Sequence, residues 1–227
     1  MPAPISVIIP TLNAAASLPE TTEALLGGLT DGLIAELVIS DGGSTDGIDT
    51  LARELGARFI AGPPGRGGQI ARGVAVSTAP WVLILHADTH LSPDWAGAAR
   101  DHIEHHPDKA GWFRLKFRDH GLAPAIVASG ANLRSRALGL PYGDQGLLVA
   151  RDTLADVGGM PELPLMEDVA LAGRLKGRLR MLKAEAWTSA ARYQNDGWVR
   201  RSLGNLGTLL RFRMGASPED LVSRYED

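Results

Sequence analysis

From Ile5 to Leu85 the chain alternates short apolar runs with stretches of helical character, and that alternation restricts the fold more than any other feature. Ile5 to Pro10, Leu37-Val38-Ile39, Arg58 to Ile60 and Trp81 to Leu85 read as strands. Ser17-Leu18-Pro19-Glu20 reads as a helix start, with Ser17 as the cap and Glu20 three residues on. Asp46 to Leu55 reads as a second helix stopped by Gly56. The loop Gly62-Pro63-Pro64-Gly65-Arg66-Gly67-Gly68 feeds a third, from Gln69 to about Ser77. Strands that alternate with helices build parallel βαβ units. The expected class is α/β, a Rossmann-like sandwich with a mainly parallel central sheet flanked by helices.

Further on, Ser92-Pro93-Asp94-Trp95 starts a helix with proline in its first turn. Gly111 to Phe117 and Gly146 to Ala150 read as strands. Glu167 to Lys176 and Trp198 to Met214 read as helices. Residues 118–142 fit a partly helical insertion that carries Asn132, Arg134 and Arg136. With 227 residues, no repeat and no linker, one domain is the simplest organisation. There is no cysteine, which excludes disulfides, thiolate metal sites and cysteine nucleophiles. The net charge of −3 gives no global attraction to nucleic acid. Met1-Pro2-Ala3-Pro4 does not read as a signal peptide, and no run is apolar enough to span a bilayer. The expectation is a soluble, cytoplasmic protein, able to dock peripherally at the inner membrane surface.

In open parallel sheets, ligands bind beyond the carboxyl ends of the strands. Here the first strand ends in Pro10-Thr11-Leu12-Asn13 and the second in Ser40-Asp41-Gly42-Gly43-Ser44-Thr45-Asp46. The fourth ends in His86-Ala87-Asp88-Thr89. Each tip alone has a plainer reading as a turn or a helix cap, Asp46 above all. Three polar tips on one sheet edge suit a nucleoside diphosphate. Asp41 can accept a base imide N–H. Glycines such as Gly43 let the backbone approach a ribose or base. Asp88 can ligate a divalent cation that holds a diphosphate, and Arg66 can pair with phosphate oxygens.

Val7-Ile8-Ile9-Pro10-Thr11-Leu12-Asn13, followed by Val38 to Asp46, resembles the opening of the family-2 glycosyltransferases. Gly65 to Gly73 matches that family's next loop and helix, Leu83 to Thr89 its DxD-like motif, and Met166-Glu167-Asp168 its later ED motif. The combination of His-Ala-Asp-Thr, Gly-Asp-Gln-Gly and Met-Glu-Asp-Val is similar to a bacterial subgroup associated with radical-SAM and selenoprotein-type domains. The resemblance implies a GT-A type fold with a nucleotide-binding half at 1–110, an acceptor and catalytic half at 111–197, and a C-terminal helix and tail at 198–227. It implies inverting transfer of a sugar from a nucleotide-diphosphate sugar, with UDP preferred and GDP second, to an unknown hydroxyl acceptor that is a small molecule, lipid-linked or a glycan. Pro10, Thr11, Asn13, Asp41, Gly43, Ser44, Arg66, Gln69, His86 and Ala87 would line the nucleotide. Asp88 would hold Mn²⁺ or Mg²⁺. Asp168 would be the base and Glu167 its neighbour on the acceptor. One departure stands out: His86 occupies the first position of DxD, where the family usually has Asp.

Tyr142, Asp144 and Gln145 line the acceptor side or simply form a turn. Glu167-Asp168 has a plainer reading as an acidic first helical turn. His102, His105 and His106 read as a solvated helix face. Arg200, Arg201, Arg211 and Arg213, with Trp198, Leu203, Leu206, Leu209, Leu210 and Phe212, form a basic amphipathic helix. That helix either packs on the core or touches a membrane surface. A nucleotidyltransferase and a non-catalytic nucleotide-sugar-binding module are the alternatives. The former usually carries a glycine-rich basic signature after the first strand, where this chain has Thr11-Leu12-Asn13-Ala14. The latter needs no base.

Overall fold

The computed structural model describes residues 3–218 together with 220 and 221, so the end of the expected C-terminal tail lies outside the described residues. The first half runs β1 (Ile5–Thr11), α1 (Leu18–Glu23), α2 (Leu26–Thr30), β2 (Ile34–Asp41), α3 (Ile48–Glu54), β3 (Arg58–Ala61), α4 (Arg66–Val76) and β4 (Trp81–Ile84). Then come β5 (Thr89–Leu91), α5 (Trp95–His105), β6 (Ala110–Phe117), α6 (Leu122–Leu138), β7 (Leu147–Ala150) and α7 (Arg151–Asp156). The chain continues with α8 (Glu167–Arg174), β8 (Leu179–Thr188), α9 (Ala191–Asp196) and α10 (Trp198–Arg213).

The strands form one eight-stranded sheet in the order β3-β2-β1-β4-β7-β6-β8-β5. From β3 to β4 every pairing is parallel, as the βαβ pattern requires. Beyond β4 the sheet is mixed. β7 runs antiparallel to both β4 and β6, β8 is parallel to β6, and β5 is antiparallel to β8. Three of the four parallel pairings therefore belong to the first half, and the reversal at β7 makes the sheet as a whole a mixed one.

Helices cover both faces of the parallel half, which explains its unbroken apolar runs. Ile5, Val7 and Ile9 of β1 join Leu18, Ile48 and Trp95 in one core cluster. Ile8, between them in sequence, points to the other side and joins Ile70, Leu154 and Leu171. A strand buried on both faces cannot alternate with polar residues, so it is readable as a run.

Two strands lie where the sequence marked none. β5 is three residues long, and β8 alternates Lys183 and Glu185 with buried Leu182, Ala184 and Ala186. Residues 118–142 hold one continuous helix, α6, anchored by Asn132. Its Nδ2 donates to the Leu115 carbonyl at 3.0 Å and its Oδ1 accepts from the Leu115 N–H at 2.8 Å. Two caps also differ from expectation. Ser17 makes no side-chain cap to its helix and donates instead to the Ala14 carbonyl. The Asp46 carboxylate accepts from the Ala15 N–H at 2.7 Å, so it bridges the first two loops rather than capping α3.

Candidate active site

The loops after β1 and β2 are tied to each other before any ligand is considered. Asn13 adopts a left-handed backbone with φ 51°. Its N–H donates to Ser44 Oγ at 2.7 Å, and its Oδ1 accepts from the Thr45 N–H at 3.0 Å. Asp41 is buried, and it accepts hydrogen bonds from the Thr11 and Ser44 hydroxyls on Oδ1 and from the Gly43 and Ser44 N–H groups on Oδ2. Burial works to raise its carboxyl, but the bonds from Ser44, Gly43 and Thr11 outweigh burial and hold it below the ordinary value.

A carboxylate has about four lone-pair sites, and here all four are taken. These bonds make Asp41 the residue that shapes the turn presenting Gly43. Gln69 is corrected. It is 4% exposed, and its Nε2 donates to the Thr11 and Ser40 carbonyls at 2.6 and 3.1 Å, so it clamps two strand ends instead of facing a nucleotide. Thr11 is buried too, while Asn13 and Gly43 remain exposed on the rim. Pro10 is part-buried between them.

A second set of contacts brings α4 to α8. The Gly67 N–H donates to the Leu163 carbonyl at 3.2 Å, and a Cβ at Gly67 would sit 2.2 Å from the Pro161 oxygen. Only glycine permits that approach. It sets Arg66, the first residue of α4, beside Glu167, the first of α8, with Nη1 3.3 Å from Oε1. Met166, immediately before, holds φ 63° although it is not glycine. A left-handed residue of this kind is costly and collects at functional sites. Glu167 is 1% exposed and its Oε2 has no hydrogen-bond partner. Burial, then the neighbouring Asp168, pushes its carboxyl up, and Arg66 offsets only part of that.

Asp168 is held by backbone donors. Its Oδ2 accepts from the Gly143 N–H at 2.7 Å, and its Oδ1 accepts from the Val169 N–H at 2.7 Å. Gly143 also abuts the tip of β4, because a Cβ there would lie 2.4 Å from His86 Nε2. His86, Gly143 and Asp168 therefore meet across three segments of the chain. Ala87 is buried and gives its carbonyl to Thr21 Oγ1 at 2.7 Å.

Asp144 faces the same space. Burial raises its carboxyl to about 6. Arg134 and Arg66 act against the rise, while the charges of Asp168 and Asp88 add to it. Tyr142 is pushed up to about 12, first by burial, and its ring lies 3.4 Å from the Arg134 guanidinium. Gln145 is corrected. It is fully buried, and its amide joins Ser135, Tyr142, Phe113 and Asn132, so it buttresses the loop and cannot meet an acceptor.

Three buried polar atoms near this point lack hydrogen-bond partners among the described residues: His86 Nε2, Asp144 Oδ1 and Glu167 Oε2. Buried polar atoms are ordinarily satisfied. Burial, followed by the Arg66 and Arg192 guanidiniums, pushes the His86 imidazolium well below its ordinary range and keeps the ring neutral. The charge of Arg192, exposed on α9, reaches His86, and sequence reasoning missed it. It sits among Ala190, Ala191 and Tyr193 with no motif around it, and only the fold brings it near β4.

Among the described residues no three acidic or histidine side chains converge closely enough to hold a metal by themselves. One carboxylate with diphosphate oxygens and water is nonetheless a usual Mg²⁺ arrangement. Asp88 fits it. It is part-exposed at a strand tip, and its charge reaches Asp144.

A family profile described as glycosyl transferase family 2 matches residues 6–129. A glucosyl-3-phosphoglycerate synthase from Mycobacterium tuberculosis is 31% identical over 93 residues, covering 37% of this chain and 28% of that protein. The match thus spans under a third of the curated relative's length. Among solved structures, S. aureus TarS in complex with UDP-GlcNAc aligns with a TM-score of 0.63 at 18% identity, covering 82% of this chain and 58% of that one. Glucosyl-3-phosphoglycerate synthase from M. tuberculosis, solved with Mn²⁺, UDP and glucosyl-3-phosphoglycerate, aligns with a TM-score of 0.58 at 22% identity. That alignment covers 78% of this chain and 68% of that one. These likenesses establish the fold as the GT-A type α/β architecture.

Proposed function

The chain belongs to glycosyl transferase family 2, and from that membership we propose that it transfers a sugar, with inversion, from a UDP-sugar to a hydroxyl acceptor. The observation that carries the reading is the meeting of Asp168, Glu167, Asp144, His86 and Arg66 at the tip of β4, where Asp88 also lies. The solved relatives hold UDP or UDP-GlcNAc, which supports UDP as the nucleotide here. The exposed rim formed by Asn13 and Gly43 is the place for the nucleoside. Arg66 and Arg192 supply positive charge for the diphosphate. Within the family, Gly143-Asp144-Gln145-Gly146 and Met166-Glu167-Asp168-Val169 support the subgroup associated with radical-SAM and selenoprotein-type domains.

In the reaction the acceptor oxygen bonds to the sugar's anomeric carbon as the bond to the diphosphate oxygen breaks on the opposite face. Asp168 takes the acceptor's hydroxyl proton, and the two N–H donors from Gly143 and Val169 fix the direction of its carboxylate. Glu167 orients the acceptor while Arg66 balances its charge. A divalent cation held by Asp88 would neutralise charge growing on the leaving diphosphate. The raised Asp144 and Glu167 carboxyls keep protons available within the site near neutral pH.

The test is Asp168→Asn, which keeps shape and loses basicity. UDP affinity should hold, and release of UDP from the UDP-sugar, by transfer or by slow hydrolysis, should fall about 10²–10⁴-fold. Equal release at matched donor occupancy would remove Asp168 as the base and favour a binding module.

A further inference from the structure

Large apolar side chains stand exposed on two neighbouring helices. Along α10, Val199, Leu203, Leu206 and Leu210 follow one another at helical spacing, and Met214 extends the line just past the helix end. Each is at least half exposed. On α6, Leu122, Ile126 and Leu133 are exposed in the same way. The inner faces of both helices are already used. Ala128, Val127 and Ala131 of α6 meet Trp198 of α10 in the cluster around Phe117, and Leu209 of α10 is buried in another. Each helix therefore turns a second apolar face outward.

The charged residues on these two helices are all basic. Neither α6 nor α10 contains an acidic residue. Arg136, Arg200, Arg211 and Arg213 are exposed, whereas Arg134 stacks on Tyr142 and Arg201 pairs with Asp196. An apolar stripe edged by arginines is the pattern of a helix lying in a membrane interface. Exposed apolar patches rimmed by polar residues also mark interaction sites.

We propose that α10, with α6 beside it, docks the protein on an anionic lipid bilayer, the leucine stripe entering the acyl boundary and the arginines meeting headgroup phosphates. Two observations favour lipid over a second copy or a membrane span. A two-fold dimer through this face would set the arginines of α6 and α10 against each other with no acid on either helix to pair them. No helix among the described residues is long and apolar enough to cross a membrane. The net charge of −3 gives no overall attraction, so this local array has to supply it. Docking of this kind requires no particular reaction at the site.

The experiment is sedimentation of the full chain with vesicles of phosphatidylcholine alone, or with a roughly one-third share of phosphatidylglycerol. Each interfacial arginine is worth about fivefold in partitioning, so mixed vesicles should bind at least about tenfold more tightly than neutral ones. Leu203→Gln/Leu206→Gln/Leu210→Gln and Arg200→Gln/Arg211→Gln/Arg213→Gln should each reduce binding about tenfold or more. Both should unfold at the wild-type temperature, since the side chains are exposed. Failure to sediment with anionic vesicles, or wild-type binding by either variant, would overturn the proposal. So would a lipid-free dimer that the leucine variant dissociates, because the occupant would then be a second copy.

Discussion

Replacing Asp144 by Asn tests the electrostatics of the site without need of a substrate. The Asp144 carboxyl is raised from the ordinary 3.8 to about 6, mainly by burial and then by the charges of Asp168 and Asp88, against the pull of Arg134. The folded state therefore holds this proton more tightly than the unfolded chain does. The group's favourable contribution is complete below pH 3.8 and is lost as pH rises through about 6. At 1.36 kcal/mol for each tenfold change, the gap is worth up to about 3 kcal/mol at pH 8.

Asparagine carries no charge, so Asp144→Asn should stabilise the protein at pH 8 by about 1–3 kcal/mol and leave it nearly unchanged at pH 4. The lower end allows for amide hydrogens that find no acceptor. In a chain of this size that is a rise in midpoint temperature of roughly 2–12 °C. Thermal unfolding of both proteins from pH 4 to pH 8 reads the difference. An equal shift at both ends of the range, or a loss of stability at pH 8, would refute the reasoning.

Asp88→Ala should abolish the part of UDP binding that a chelator removes from the wild type, measured by calorimetry with Mn²⁺ and with chelator. Wild-type binding that ignores the chelator would show that Asp88 holds no metal. Asp41→Ala removes four hydrogen bonds that shape one turn, so amide exchange at residues 42–45 should quicken and UDP affinity should fall. Affinity that is unchanged while exchange quickens would detach the turn from the nucleotide. Gly143→Ala forces a Cβ toward His86 Nε2 and should cut UDP release from the donor at least about tenfold, with the fold intact by circular dichroism. Full activity would mean that the contact between Gly143 and His86 relaxes freely.

The parallel half was legible because its strands are buried on both sides and stand out as apolar runs. β8 was not, since every second residue faces solvent or a charge, and Lys183 and Glu185 read as loop chemistry. Motif positions suggested that the segments of Asp88 and Asp168 share a site, and the structure brings His86, two residues before Asp88, against Gly143, which donates to Asp168. Gln69 and Gln145 show where that reasoning ends. A buried amide that ties strand ends and one that faces a ligand look identical in sequence, and only their hydrogen-bond partners separate them. Arg192 shows the converse, an arginine with no local pattern that tertiary structure alone brings within electrostatic reach of His86.

The two sides of α10 do unlike things. Its inner residue Leu209 packs with Leu165, Met166 and Val169, the side chains that bracket Glu167 and Asp168. Its outer residues Leu206 and Leu210 stand in solvent. A single helix thickness, about 10 Å, separates anything that grips the outside from the backing of the acidic pair. A contact on the outer stripe that restrains α10 also restrains that backing, and a ligand that stiffens the pair stiffens α10 in return, because coupling between two sites is reciprocal. Were the outer stripe to dock as proposed, α10 would be a wall shared by the anchor on one side and the acidic pair on the other.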